Sequence, residues 1–435
     1  VSIDRTPANY IAKPEPSTRE IFQPRLLRAS KIFLALCVAL DVCTLVSLAY
    51  YHHVYHDAAR TQIWSLADDR FGDFWHYRKL FEVFHTPLFF SSADRFAYPA
   101  PCAVLYNALY HLGPHPFLGF VAILVCAFLV SAWLFYRFLR SFRIAAGTAA
   151  SFTAFLLLTS YPWEKLFDRA NLELFVYIFL AAGVWAFLRR CNSWAAVFWG
   201  IAGALKIYPL VMVALFFHRR GLRPLTISLI VFAATLLASF YYVGPTIHAA
   251  AVGSLHGITG FVGNYAAAAR IRELTIDHSL LGSIKELLLL DRTHEGNWAH
   301  LSTGYQAAVA ILGPLLYLLR IRKLPALNQL CLFLVAIVLL PPVSYDYTLV
   351  HIYLVFGIVA AHFLSQAKAP GGSLQGIRTF AITFAITFSS EGWVQTQTLR
   401  LNGVIKCVSL LTLCWLLLRI PLAIRETQPA QQNVN

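Results

Sequence analysis

Apolar runs of about 20 residues recur from position 32 to position 420, separated by short stretches carrying Arg, Lys or aromatic residues. At about 1.5 Å of rise per residue, such a run crosses the roughly 30 Å hydrocarbon core of a bilayer as one helix. The pattern predicts twelve spans, at 31–51, 116–137, 144–160, 170–188, 193–205, 207–217, 224–243, 303–319, 327–342, 348–365, 379–393 and 402–419. Two of them, 193–205 and 207–217, are too short to cross alone and read as a broken pair meeting at Lys206 and Pro209. Broken backbone at membrane depth is tolerated only where it is buried in protein or lines a cavity. The apolar piece 100–113 reads as a further half-helix. The expected fold class is an all-α polytopic membrane protein.

Composition excludes the alternatives. Of 435 residues 58% are hydrophobic and 13% charged, against about 25% charged in a soluble globular protein. A disordered chain, a coiled coil and a disulfide scaffold are excluded with it. The net charge of +14 would point to nucleic acid in a soluble protein. Here 21 of the 35 cations, and only four of the 21 acids, fall in the N-terminal stretch and in short clusters between apolar runs. These include Arg137–Arg140–Arg143, Arg189–Arg190, Arg219–Arg220–Arg223, Arg320–Arg322–Lys323 and Arg419–Arg425. Cytoplasmic loops collect Lys and Arg, so the basicity belongs to one membrane face, and no nucleic-acid partner is expected. Twelve spans put every basic cluster inside. On that topology 1–30 is a cytoplasmic tail, 31–420 a single transmembrane domain and 421–435 a second cytoplasmic tail. The first apolar run begins only at Ile32 and has the length of a span, not of a cleaved leader. Segments 52–101 and 244–302 face outward, the first reading as short amphipathic helices on the membrane.

The eight cysteines form no C-x-x-C pair and mostly lie in apolar runs, where a free Cys acts as a small hydrophobe. No metal and no disulfide framework is expected. His52, His53 and His56 have helical spacing and flank Tyr50, Tyr51 and Tyr55 at the end of a span, the pattern of an interfacial belt more than of a metal site.

Polar residues at membrane depth are costly and mark function by default. The topology brings Asp73, Asp168, Arg169, Asn171, Glu173, Lys206, Asp277, His278, Tyr345, Asp346, Tyr347 and His351 to the outer face, from five separate stretches. The count of basic loops did not use them, and one outward-facing pocket would explain the grouping. Asp41, in mid-span, reads as a packing hydrogen bond. Asp73 precedes Phe74, Trp75 and Tyr77; a carboxylate held among aromatics at the water–lipid boundary can act as a general base, and an N-cap aspartate is the alternative. Lys206 at a helix break can bind a phosphate beside exposed N–H groups, or snorkel to the interface. Arg169 is a second phosphate ligand or a salt-bridge partner of Asp168 or Glu173.

These motifs resemble a known family. An aspartate followed by aromatics in the first outer loop resembles the catalytic loop of GT-C glycosyltransferases. Phe96-Ala97-Tyr98-Pro99-Ala100-Pro101 is similar to the F-x-Y-P-P element of glycosyltransferase family 87. Gly203-Ala204-Leu205-Lys206-Ile207-Tyr208-Pro209 resembles that family's small-residue stretch running into K-x-Y-P. Asp277-His278-Ser279-Leu280-Leu281-Gly282 resembles its N-Q-S-L-x-G element, and Pro342-Val343-Ser344-Tyr345-Asp346-Tyr347 its late S-W-x-H-H-like stretch. Asp277, His278, Tyr345 and Tyr347 depart from the family's residues, and Asp168-Arg169-Ala170-Asn171 stands where the family often has G-Q-x-N. The departures leave the sugar open and the reaction class unchanged.

The resemblance implies a GT-C-like fold and a polyprenyl-phosphate-sugar donor, with mannose or arabinofuranose as family donors. It also implies inverting transfer to a glycan or glycolipid acceptor on the outer face of the plasma membrane. Asp73 would be the base and Lys206, with Arg169, would bind the leaving phosphate. Asn171, His278, Tyr345, Asp346, Tyr347 and His351 would position donor or acceptor, and Trp75 and Tyr77 would offer apolar faces to sugar or lipid. The donor is a substrate, and no cofactor is expected. A flippase of lipid-linked sugars is the rival reading; it would share the cations but needs no outer-loop aspartate, and the internal repeats common in transporters are not visible. A noncatalytic scaffold leaves the broken lysine pair unexplained.

Overall fold

The computed structural model describes residues 18–55, 71–91, 96–113, 115–141, 144–158, 160–218, 221–268, 274, 276–289, 297–368, 373–389 and 401–424. Among them the secondary structure is helical, apart from one isolated antiparallel bridge between Asp277 and Tyr345. Five segments are long and apolar enough to cross a bilayer: Pro116–Ser141, Leu222–Val243, Trp298–Lys323, Asp346–Ala367 and Asn402–Arg419. Shorter apolar helices lie at Ala146–Leu157, Glu173–Leu188, Tyr208–Phe217, Ala326–Leu339 and Ile377–Phe388. The predicted segment 31–51 falls within α1 (Thr18–Tyr55). His56 lies outside the described residues, as do most of the two tails.

The helices that position the site form a hairpin. α2 (Gly72–His76) leads to α3 (Ala100–Tyr110), α4 (Pro116–Ser141), α5 (Ala146–Leu158) and α6 (Tyr161–Arg169). α7 (Glu173–Leu188) then runs away from the site and α8 (Asn192–Leu205) returns to it. The two pack closely: Gly183 faces the buried Trp199, whose indole would overlap any Cβ at that position. Sixteen residues of α7 put Arg189 and Arg190 about 24 Å from Glu173. The same reckoning along α9 (Leu222–Val243) and the last helix, Asn402–Arg419, puts Arg223 and Arg419 at that far end too.

The break at Lys206 is present. α8 stops at Leu205, Lys206 is extended (φ −142°, ψ 136°), and the chain resumes as a 3₁₀ turn at Tyr208–Ala214 with Pro209 in its first turn. The Leu205 carbonyl, freed by the break, accepts from the Cys102 thiol of α3 at 3.2 Å.

In the first outer segment several aromatic residues of the described parts, 71–91 and 96–101, pack inward. α2 and the turns after it bury Phe74, Phe81, Phe89 and Phe96 in one aromatic cluster with Tyr106 and Tyr110 of α3. Rings of that size are better covered by one another, edge to face, than by headgroups. The segment 244–302 contains helices among its described residues. It holds α10 (Ile247–Phe261), capped by the Thr246 side chain, and α11 (Leu280–Leu289). α12 (Trp298–Leu319), α13 (Ala326–Leu339), α14 (Ile352–Lys368), α15 (Ile377–Phe388) and α16 (Asn402–Arg419) complete the bundle.

Candidate active site

α2 is a single turn, and its entry is strained. Phe71 is left-handed (φ 61°), with its N–H donating to the Asp168 carbonyl at 2.7 Å. The Tyr106 hydroxyl donates to the Asp73 carbonyl at 2.9 Å, and Tyr110 donates to that of Phe74. This small helix is therefore tied to α6 at one end and α3 at the other. It carries Asp73 in its first turn, where a carboxylate suits the helix dipole.

The Asp73 carboxylate meets two donors. Arg169 Nη2 lies 2.5 Å from Oδ1, and Asn171 Nδ2 lies 2.6 Å from Oδ2. Between them Ala170 is left-handed (φ 47°), which ends α6 and turns both neighbours toward Asp73. Left-handed non-glycine residues cost energy and cluster at functional sites. Here one stands on each side of the same ion pair. Arg169 thus pairs with Asp73, and Asp168 lies 3.8 Å from Lys165.

Asn171 also links the two halves of the site. Its Nδ2 is 3.1 Å from the Tyr98 hydroxyl, and the Tyr98 ring lies under the Lys206 ammonium at 5.3 Å. The Tyr347 ring faces the same ammonium at 5.6 Å. Lys206 Nζ is 2.5 Å from Oε2 of Glu173. The other oxygen of Glu173 accepts from Tyr208 and lies 2.5 Å from His351 Nε2. Glu173 and His351 are fully buried, whereas Asp73 and Arg169 keep 17% and 32% of their side chains exposed.

The remaining predicted residues fall into two groups. Trp75 is exposed, with the Arg78 guanidinium 5.2 Å from its ring, and Tyr345 and Tyr347 are half-buried neighbours. Tyr77 is buried against Phe96, Tyr98 and Tyr106. His278 and Asp346 are buried beneath the site. His278 Nδ1 is 3.3 Å from Asp346 Oδ1, and its Nε2 is 3.2 Å from the Ser344 hydroxyl. Asp277 accepts at 2.9 Å from the N–H groups of both Ser279 and Ser344, which pins the Ser344 turn to the start of α11. Its carboxyl is raised above the usual range by burial, partly offset by those hydrogen bonds. Glycine is needed at 282, because a Cβ there would strike this carboxylate.

Residue reasoning missed the role of Glu173 as anchor of Lys206, and the platform tyrosines Tyr98 and Tyr208, although both tyrosines stood in quoted motifs. It also missed Lys406 of α16, which is buried with its Nζ 3.0 Å from Asp346 Oδ1. The signal was present, since Lys406 is a cation four residues into an apolar run.

Beside Lys206 an apolar groove of about 250 Å³ opens between α8, α9 and α10. Gly203, Ala204 and Ile207 line one wall, and Phe232, Leu236 and Leu255 the others. The arrangement can hold an anion at Lys206 and Arg169, an apolar chain in the groove, and a proton acceptor at Asp73.

No curated protein and no solved structure matches the chain. The family model described as glycosyltransferase family 87 matches residues 96–342. That stretch contains Tyr98, Arg169, Asn171, Glu173, Lys206 and His278, while Asp73, the 345–351 turn and Lys406 lie outside it. The match covers more than half of the sequence, and the chain belongs to glycosyltransferase family 87.

Proposed function

We propose that this membrane glycosyltransferase moves a sugar, mannose or arabinofuranose, from a polyprenyl-phosphate donor to a hydroxyl of a glycan or glycolipid acceptor. The observation that carries the reading is the junction of the Asp73 carboxylate and the Lys206 ammonium through Asn171 and Tyr98, beside an apolar groove. The donor phosphate rests on Lys206 and Arg169, and its isoprenoid chain lies in the groove. The acceptor hydroxyl approaches the anomeric carbon from the Asp73 side. As its oxygen bonds to that carbon, Asp73 takes the proton, and the bond from the carbon to the phosphate oxygen breaks on the opposite face. Configuration therefore inverts. Lys206 offsets the charge that grows on the departing lipid phosphate. Each carboxylate oxygen can accept more than one hydrogen bond, so the contacts from Arg169 and Asn171 orient Asp73 without occupying it.

The chain crosses the plasma membrane twelve times, both tails inside and the site outside. Arg189, Arg190, Arg223 and Arg419 at the helix ends far from Asp73 support that orientation. The test is transfer by the detergent-purified chain from labelled polyprenyl-phosphate mannose and arabinofuranose, with the product anomer assigned by NMR. An inverted glycoside formed without a bilayer is expected. Absence of transfer, together with movement of intact donor across vesicle bilayers, would replace the enzyme by a flippase.

A further inference from the structure

A single buried cation on α16 touches both elements that carry the site. Lys406 is 1% exposed on α16. Its Nζ is 3.0 Å from Asp346 Oδ1 and 4.3 Å from the centre of the Tyr161 ring. Tyr161 opens α6, the helix that ends in Arg169. Asp346 opens the 3₁₀ turn Asp346–His351. Along that turn Tyr347 faces the Lys206 ammonium, and His351 holds Glu173, which holds Lys206. One ammonium therefore contacts the start of the Arg169 arm and the start of the Lys206 arm.

The Ser344 turn is already secured by His278 and Asp277, so the turn does not depend on Lys406 for its shape. The Asp346–His351 turn and α6 pack directly against one another, and Lys406 adds a charged contact to the start of each. A charge this deep is costly without its partner, and an apolar residue would fill the same volume without that cost. We infer that Lys406 is a positioning residue for transfer, setting the spacing between the Asp73–Arg169 and Lys206–Glu173 halves. The inference rests on the donor reading proposed for that site. Misplacement of about 1 Å at a reacting centre can cost on the order of 100-fold in rate.

The test uses the purified full chain, the labelled polyprenyl-phosphate donors and two variants, Lys406→Met and Lys406→Met/Asp346→Asn. The single variant leaves a buried carboxylate without its cation and should melt at lower temperature. The double variant removes both charges and should recover most of the melting temperature. Positioning predicts that it nonetheless keeps at least a tenfold loss in kcat/KM, divided between a raised donor KM and a lowered kcat. Wild-type kinetics in a double variant of recovered stability would show that Lys406 only balances charge, and would overturn the inference. So would failure of both variants to fold, which would make the pair a folding element. A wild-type chain that transfers from no polyprenyl-phosphate sugar would instead defeat the donor reading, an outcome distinct from both.

Discussion

Asp73 and Glu173 each meet a cation at 2.5 Å, Arg169 and Lys206 respectively. Their surroundings differ. Asp73 stands on a one-turn helix, flanked by left-handed Phe71 and Ala170, and stays partly open. Glu173 begins a regular 16-residue helix, is fully buried, and has both oxygens engaged by Lys206, Tyr208 and His351. Two ion pairs of equal length can thus have opposite uses. The open, strained one can exchange a proton with a substrate; the closed one can hold a lysine in place. Glu286 on α11 adds a third case, a buried carboxyl whose Oε2 finds no hydrogen-bond partner among the described residues.

The largest effect is expected from Asp73→Asn, which keeps the shape and removes the base. Turnover should fall by about 10²–10⁴-fold while donor binding and melting temperature stay near wild type. Wild-type turnover in a rate assay would remove Asp73 from the role of base and erase the contrast. Glu173→Gln should act on stability first. Opening a buried ion pair from one side costs about 3–5 kcal/mol, so the melting temperature in detergent should drop far more than for Asp73→Asn. Equal drops would mean that the two pairs do the same work.

Ala170→Gly probes the strain. Releasing a left-handed alanine should stabilise the fold by about 0.5–1 kcal/mol while slowing transfer, because Arg169 and Asn171 are less firmly aimed. Faster transfer would mean that the strain is incidental. The effect expected at Glu286 depends on pH. Burial, with Asp277 adding to it, pushes its carboxyl up to about 8, from 4.5. Between those values the unfolded chain gives up this proton more readily than the folded one, so stability contributed at this position falls as pH rises from about 4.5 to about 8. Glu286→Gln should therefore raise the melting temperature at pH 8.5 and leave it unchanged at pH 4. A gain independent of pH would point to packing instead.

Part of this arrangement is legible in the chain's pattern. The helical class, the break at Lys206 and the gathering of Asp73, Arg169, Asn171 and Lys206 at one end follow from local causes: the length of apolar runs, Pro209 beside a lysine, and charges too costly to leave in lipid. The pairing inside the site does not follow. The contact of Arg169 with Asp73, 96 residues away, could not be read from distance along the chain. Lys206 was legible as a cation at a break, but Glu173 as its counterion was not, because it depends on how α7 and α8 pack. The aromatic loop was legible as aromatic but not as buried, since its cover is α3 and α4.

What the sequence alone determined is which residues could not face lipid, because transfer free energies act on each side chain where it stands. What only the tertiary structure decided is which of those residues satisfy one another. A buried charge takes the partner that packing brings within about 3 Å, and that partner was set by helix contacts spanning up to 178 positions of chain, as between His351 and Glu173.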